Sequence, residues 1–229
     1  MADRAAKDAL FDGLASVAKA VGNGRRAEIL DVLTQAERSV EELSREIEQS
    51  VANTSHHLQQ LLRAGLVRTR RDGTRIHYSL TSPRVTELWA AVRDVAAEQL
   101  AEVDHLATAY LGDRTGLATI TREELADRLR KGDVVVLDVR PEIEFQAGHI
   151  AGAVSVPLKE IARRLRAISK DRQVVAYCRG PYCVYADDAV RVLRRRGYQA
   201  ARLDDGFPEW VRAGLPVQPD PQPAIPPMA

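Results

Sequence analysis

The first part of the chain spaces its apolar residues three or four positions apart, which is the spacing of amphipathic helices. This pattern predicts helices over 5–20 and 25–34. Ser39, with Glu42 three positions later, predicts a capping box at the start of a third helix. A fourth helix follows after a short turn, and its core face carries Leu58, Leu61 and Leu62.

A β-hairpin and a long helix come next along the chain. Residues 67–71 and 76–80 flank an Asp-Gly pair at 72–73, which favours a tight hairpin turn. Pro83 then opens a helix whose apolar stripe continues to Tyr110. Because a small domain cannot cover so long a stripe, the stripe predicts pairing with a second copy in a homodimer. Packing against the first helix or the second domain is the alternative.

The second half of the chain alternates short, wholly apolar runs with helical segments, which is typical of a parallel sheet covered on both faces. The predicted strands are 134–139, 153–157, 173–177 and 200–203. The first half has the order helix, turn, helix and hairpin, which is the order of a winged helix-turn-helix. Because the second half instead alternates strands and helices, we expect two domains. The first is a mainly α winged helix-turn-helix over 1–111, and the second is an α/β domain over 120–217. Residues 112–119 are the expected linker, and the proline-rich residues 218–229 an expected disordered tail.

The recognition helix and wing carry a family resemblance. The stretch SVANTSHHLQQLLRAGLVRTRRDGTRIHYSL, from Ser50, resembles ArsR-type bacterial repressors in register over helix, turn and hairpin. The resemblance implies a homodimeric repressor that binds double-stranded operator DNA. The residues it places in the major groove are Ala52, Asn53, Ser55 and His56. Hydroxyl and amide groups can read base edges there. The alternative is that residues 53–55 only cap a helix while the histidines stay solvated.

Charge is local rather than global in this chain, whose net charge is +1. The predicted hairpin and the helix end before it hold five arginines against one aspartate. Arg71 and Arg75 are the expected phosphate ligands. A merely solvated charged face is the alternative. No apolar run of about 18 residues occurs and the amino terminus is charged, so we expect a cytoplasmic protein with no membrane partner.

Both cysteines of the chain lie in one short loop between an apolar strand and a helix. Cys178 ends the strand and Cys183 starts the helix, with Arg179, Gly180, Pro181 and Tyr182 between them. Backbone N–H groups and the positive end of the helix dipole should converge on such a loop. We therefore expect the Cys178 thiol to ionise easily and to act as a nucleophile.

Three motifs around this loop occur in the order seen in rhodanese domains. LDVRPEIEFQAGHIAGAVSVP, VVAYCRGPYC and LDDGFPEWVRAGLPV closely resemble that sulfurtransferase family. The resemblance implies a rhodanese-like parallel sheet in which Cys178, as thiolate, takes a sulfane sulfur and becomes a persulfide. It also implies that Asp138 and Arg140 support the loop, although a purely structural ion pair is the alternative.

The loop departs from the usual sulfurtransferase pattern at its last position. Cys183 stands where a cationic or hydroxyl residue often sits, so only Arg179 remains in the loop to attract an anionic donor. Cys183 could instead act as a resolving thiol that closes a bridge with Cys178, if their Cα atoms approach within about 7 Å. The alternative is a small apolar residue at a helix start. The related phosphatase and arsenate reductase folds need an arginine where this chain has Val184, which argues against both activities.

Metal and cofactor chemistry are not expected. His56-His57 and Asp104-His105 are adjacent pairs, and adjacent helical positions point in different directions. The favoured function is a sulfur- or oxidant-responsive repressor that senses through Cys178 persulfidation or a Cys178–Cys183 bridge. The alternative is an active thiosulfate or persulfide sulfurtransferase whose DNA-binding domain serves another signal, and a sulfur-donor protein is a further candidate partner.

Overall fold

The computed structural model describes residues 3–165 and 168–218. The chain divides into two compact units, one up to Leu100 and one from Ala101 onward. The predicted first domain ended later, at residue 111. Of the predicted tail, only Gln218 lies within the described residues. No helix in the described ranges is long and apolar enough to cross a lipid bilayer.

The first unit is helical with a small antiparallel sheet, as the apolar spacing predicted. Its elements are α1 (Arg4–Val21), α2 (Gly24–Leu33), β1 (Arg38–Ser39), α3 (Val40–Glu46), α4 (Val51–Arg63), β2 (Val67–Asp72), β3 (Arg75–Leu80) and α5 (Pro83–Gln99). The strand order is β1-β3-β2. The capping box is confirmed, because Ser39 accepts from the Glu42 N–H while Glu42 accepts from the Ser39 N–H.

One apolar core holds the first unit together. Ile29, Leu43, Leu58 and Leu61 are fully buried, and they come from α2, α3 and α4. The predicted core residue Leu62 is only partly buried beside them. Burial of four such side chains contributes about 1.5–3 kcal/mol each, and it fixes which face of α4 is left for solvent.

The hairpin forms with a turn one residue later than predicted. Asp72 pairs with Arg75 across the ladder, so the two turn residues are Gly73 and Thr74. Gly73 has a φ of 59°, a conformation that favours glycine at the first turn position. The sequence therefore specified the correct hairpin, and the ladder extended by one pair beyond the expected strands.

The long helix predicted from Pro83 to Tyr110 is wrong as a single element. It is divided into α5 and α6 (Ala101–Leu111) by Leu100, whose φ of −115° and ψ of 96° are extended. Neither glycine nor proline occurs next to this residue, so no local signal marks the break. The apolar stripe is therefore not continuous along one helix.

The second unit contains a five-stranded parallel sheet, as predicted, with strand order β4-β9-β8-β5-β7. The strands of the second unit are β4 (Thr119–Ile120), β5 (Val134–Asp138), β6 (His149–Ile150), β7 (Val154–Ser155), β8 (Gln173–Tyr177), β9 (Ala200–Leu203) and β10 (Val217–Gln218). Strands β6 and β10 form a separate antiparallel pair. The helices after α6 are α7 (Arg122–Lys131), α8 (Glu142–Ala147), α9 (Ile161–Arg164), α10 (Val184–Arg195) and α11 (Phe207–Arg212).

Several boundaries in the second unit differ from the predicted ones. Cys183 was expected at the start of the helix after the loop, and it is the N-cap residue of α10, which begins at Val184. The apolar spacing of residues 161–168 predicts one helix, but α9 ends at Arg164, and it follows a 3-10 turn. Strands β4, β6 and β10 have two residues each, too few for a hydrophobic alternation to be visible in the sequence.

Candidate functional site

Helix α4 presents the residues that the family resemblance places on DNA. Ala52, Asn53 and His56 are exposed, and Ser55 is half-buried. Ser50 caps the helix by accepting from the Asn53 N–H at 3.2 Å, so the expected alternative in which residues 53–55 form the cap is wrong. All the predicted groove residues therefore lie inside the helix and leave side-chain surface for a partner.

The same face of α4 includes Gln59, which the sequence analysis missed, and Arg63, which it counted only as one of the five arginines of the local charge. Gln59 and Arg63 are exposed and follow His56 at helical spacing. Gln59 has a carboxamide that can bind adenine bidentately, and Arg63 can reach phosphate. Extending the helical spacing from Ala52 by three and four positions would have found Gln59.

The wing arginines differ in whether their charge is already compensated. Arg70 donates to Glu37 at 2.6 Å and to Asp72 at 3.5 Å, and hydrogen bonding to Glu37 raises the pKa of its guanidinium. Arg71 and Arg75 are exposed and have no carboxylate partner among the described residues. The two arginines predicted to bind phosphate therefore have charges that no carboxylate in the described part of the chain compensates, and the same holds for Arg68, which donates to the Ser79 hydroxyl.

The cysteine loop joins β8 to α10. Cys178 and Cys183 form a disulfide, and their Cα atoms are 6.2 Å apart. This separation lies within the limit of about 7 Å that bridging requires. Cys178 is buried whereas Cys183 is half-buried, and the Cys183 N–H donates to the Gly180 carbonyl at 3.1 Å. Pro181 and Tyr182, between them, are half-buried.

The start of the loop is held by α11, which the sequence reading missed. The Phe207 N–H donates to the Cys178 carbonyl at 3.0 Å. Gly206 lies so close to the loop that a Cβ there would sit 2.2 Å from the Gly180 nitrogen and 2.4 Å from the Arg179 carbonyl carbon. Glycine is needed for this approach, and the peptide between 179 and 180 is fixed by it.

Arg179, the expected attractor of an anionic donor, is paired within the unit. Its guanidinium donates to Glu144 of α8 at 2.6, 3.0 and 3.1 Å, and Glu144 is fully buried. A carboxylate at this distance compensates most of the positive charge. The loop therefore offers an anion less attraction than the sequence alone suggested.

Asp138 and Arg140 form a fully buried ion pair below the loop. The guanidinium donates to both carboxylate oxygens, at 2.6 to 3.1 Å, and to the Gly148 carbonyl. The Tyr177 hydroxyl donates to Asp138 as well, and burial together with the Asp138 charge raises the pKa of Tyr177 well above its usual value. Arg140 also lies 4.3 Å from the Phe207 ring. The pair thus connects the end of β5 to the tyrosine next to Cys178 and to α11.

Arg114 also contacts the cysteine loop, and the sequence analysis did not predict this. It donates to Asp187 at 2.6 Å, to the Pro181 carbonyl at 2.9 Å and to the Cys183 carbonyl at 3.4 Å. Asp187 lies in the first turn of α10 and is fully buried. An arginine in an expected linker carries no signal in the sequence, because its partners are more than sixty positions away.

The histidines and acidic residues do not form a metal site in the described residues, where no group of three or more potential ligands occurs. His149 stacks on Phe145 with ring centroids 3.7 Å apart, and its Nδ1 lies 3.0 Å from the Phe145 carbonyl. Burial and the charges of Arg26, His56 and Arg25 lower the pKa of His57. These contacts give His149 a packing role.

The fold and these sites define a class of protein, a winged helix-turn-helix regulator with an α/β domain that presents a cysteine loop. The chain belongs to the ArsR family of bacterial regulatory proteins and carries a C-terminal rhodanese-like domain. The arsR-family model matches residues 23–69 and the rhodanese-like domain model matches residues 121–213.

The relatives cover either most of the chain or one of its domains. The HTH-type transcriptional regulator Rv0324 of Mycobacterium tuberculosis is 48% identical over 211 residues, which are 92% of each chain. A sulfurtransferase of Allochromatium vinosum is 37% identical over 43% of this chain and 92% of its own length. The homodimeric winged helix-turn-helix DNA-binding domain of Mb0332 from Mycobacterium bovis is 43% identical, with a TM-score of 0.41, over 44% of this chain and 93% of that one.

Proposed function

We propose that this ArsR-family regulator is a homodimeric repressor whose operator affinity changes when reactive sulfur or an oxidant modifies Cys178. The observation that supports the proposal is the disulfide between Cys178 and Cys183 within the rhodanese-like loop. Two cysteines that can bridge across one loop have a bridged and an unbridged state, and the loop backbone differs between these states. A sensor needs two such states that differ in their affinity for DNA.

The proposed chemistry is a two-step thiol–persulfide exchange. The Cys178 thiolate attacks the terminal sulfane sulfur of a persulfide donor RS–SH, forming a new S–S bond and expelling RS⁻. The Cys183 thiolate then attacks the Cys178 Sγ, and the outer sulfur leaves as HS⁻ while the disulfide forms. Each thiol loses its proton to solvent, and the dithiol is oxidised by two electrons while sulfane sulfur is reduced to sulfide. A peroxide would reach the same bridge through a sulfenic acid.

The DNA-binding half of the proposal uses the exposed face of α4 and the free wing arginines. Arg71→Ala should weaken binding to all duplexes alike and reduce the slope of log affinity against log salt by about one, because one phosphate contact is lost. Asn53→Ala should instead reduce the preference for a selected duplex over a random one. Salt titrations on a duplex selected from a random library by the reduced protein, and on random duplex, measure both effects.

Arg70→Ala is the matched control for the wing. Its guanidinium is already paired with Glu37, so this change should alter the salt slope much less than Arg71→Ala. Equal slopes for the selected and the random duplex, with no loss in Arg71→Ala, would refute DNA binding through this wing.

A sulfurtransferase that turns over is the second candidate, favoured by the likeness of the second domain to the Allochromatium sulfurtransferase. Two features weigh against efficient turnover with thiosulfate. The Arg179 charge is compensated by Glu144, and Cys183 would compete with an external acceptor for the Cys178 persulfide. A sensor is modified once per signal, whereas a sulfurtransferase forms many equivalents of thiocyanate from thiosulfate and cyanide. A partner protein that delivers sulfur would also act through Cys178.

Cysteine variants test the sensor directly. Cys178→Ser should abolish the change in operator affinity on polysulfide treatment while leaving DNA binding of the untreated protein intact, because Cys183, the other cysteine of the chain, then has no partner thiol with which to form a bridge. Cys183→Ser should gain the mass of sulfur and form no bridge. Intact mass and binding to the selected duplex are measured on the same samples. If Cys178→Ser protein still responds to polysulfide, the sensor proposal fails.

A further inference from the structure

The segment 112–118, which joins α6 to β4, is attached to the second unit by arginines. Arg191 of α10 donates to the Asp113 carbonyl at 2.7 Å, and Arg194 donates to the Gly116 carbonyl at 2.5 Å. Arg114 reaches in the other direction, from the segment into the cysteine loop. This segment was expected to be a linker, yet its backbone and one side chain are held at three points.

The two halves of the cysteine loop differ in how firmly they are held. The first half is fixed, because the Cys178 carbonyl accepts from Phe207 and the peptide at 179–180 packs against Gly206. The second half, 181–183, is half-buried, and Arg114 binds two of its three carbonyls. A change in the loop that leaves Cys178 in place must therefore occur at the carbonyls that Arg114 holds.

Opening the bridge forces such a change. Sulfur atoms that share a bond are about 2.05 Å apart, whereas unbonded atoms of this size need about 3.5 Å or more. With Cys178 fixed, most of the added separation falls on Cys183 and the residues just before it. A persulfide on Cys178 requires at least as much room, because it adds a sulfur atom to the same side of the loop.

The Arg114 guanidinium is one rigid planar group that binds the loop carbonyls and a carboxylate at the same time. The same guanidinium that donates to Pro181 and Cys183 is bound to Asp187, which is fully buried and also lies 3.5 Å from Arg202 Nε. Burial, and then the nearby Arg114 charge, lower the pKa of Arg202. Since Asp187 ties Arg114 to the start of α10, the guanidinium cannot follow both the carbonyls and the carboxylate if they separate.

We propose that Arg114 is a positioning residue that couples the bridging state of Cys178 and Cys183 to the backbone of segment 112–118. The inference deepens the proposed function, on which it rests, by naming the route that the signal takes out of the loop. Bridge formation sets the Pro181 and Cys183 carbonyls within hydrogen-bond distance of the Arg114 guanidinium, and Arg114 holds the segment to them. The dithiol or persulfide state moves these carbonyls and releases or shifts the segment.

Hydrogen–deuterium exchange of full-length protein tests the coupling without DNA. Dithiol protein and protein bridged by polysulfide, verified by a mass lower by two hydrogen atoms, should differ about fivefold or more in exchange over 112–118. In Arg114→Lys the difference should fall below about twofold, because an ammonium can keep the Asp187 charge pair but cannot fork to two carbonyls as well. Arg114→Ala should give the same loss wherever it folds.

Arg191→Ala is the matched control, because it removes another hydrogen bond to the same segment without a described contact to the cysteine loop. It should raise exchange in both states and preserve the difference between them. A wild-type-sized difference in Arg114→Lys, or no difference in the wild type, overturns the coupling.

Binding to the selected duplex, measured on the same samples, separates this inference from the proposed function. In Arg114→Lys the affinity ratio between dithiol and bridged protein should come within about twofold of unity. A wild type whose exchange changes while its DNA affinity does not would refute the sensor function and leave the role of Arg114 supported.

Discussion

Replacing Arg140 with leucine is expected to lower the free energy of unfolding of the second unit by about 3–5 kcal/mol. The change removes the guanidinium that donates to both Asp138 oxygens and to the Gly148 carbonyl, and all of this lies inside the protein. Asp138 would remain as a buried carboxylate that accepts from the Tyr177 hydroxyl and the backbone N–H of residue 140, with no cation in place of the guanidinium. An uncompensated buried charge is among the costliest defects that a single substitution can create.

Urea unfolding measures this effect in a Trp89→Phe background, where the buried Trp210 is the one remaining tryptophan and reports on the second unit. Arg130→Leu is the control, because it breaks an exposed pair with Asp127 on α7, and exposed pairs contribute little. Equal midpoints for Arg140→Leu and the control would show that the Asp138–Arg140 pair is not a major source of stability.

Replacing Leu14 with glutamate is expected to convert the proposed dimer into monomers and to lower affinity for the selected duplex by about 100-fold or more. Helix α1 exposes Leu10, Phe11 and Leu14 by 60%, 60% and 62%, and its buried residues are confined to its last turn. An isolated helix with so little packing is marginally stable in water. A second copy that covers α1 would supply the missing burial and a two-fold symmetric pair of recognition helices.

The expected monomer is detected by sedimentation equilibrium at several protein concentrations. Ile76→Glu is the control, because Ile76 is 46% exposed on β3 of the same unit and lies outside α1 and α5. Its charge should leave the dimer intact. A Leu14→Glu protein that sediments like the wild type would place the interface elsewhere, and Val92 on α5, which is 41% exposed, would then be the next position to change.

Local signals in the sequence predicted most elements of the first unit. The Ser39–Glu42 capping box and the glycine at 73 act over three or four residues, so their physical effect does not depend on distant packing. The break at Leu100 had no such signal, and the expected continuous stripe was wrong for that reason. Apolar spacing shows which residues are expected to be buried, but it does not show whether one extended residue interrupts the helix.

The same contrast holds at the cysteine loop. The spacing of Cys178 and Cys183 across a strand end and a helix start limits their separation, so the capacity for a bridge is readable from the sequence. The compensation of Arg179 by Glu144 is not readable, because these residues are thirty-five positions apart and meet only after α8 packs beside the loop. The positive charge that an anionic donor meets at Arg179 therefore follows only from the folded structure.

The sequence by itself determined the order of most elements, the two-domain composition, the exposed character of α4 and the chemistry available in the loop. These follow from hydrophobic spacing, capping and residue type, which act between near neighbours. The tertiary structure decided which charges are free and which are paired. It also decided that Gly206 packs against the 179–180 peptide of the cysteine loop, and that Arg114 joins this loop to segment 112–118. Electrostatic and steric partners of this kind are set by distance in space, and the parallel sheet brings together residues that the chain keeps far apart.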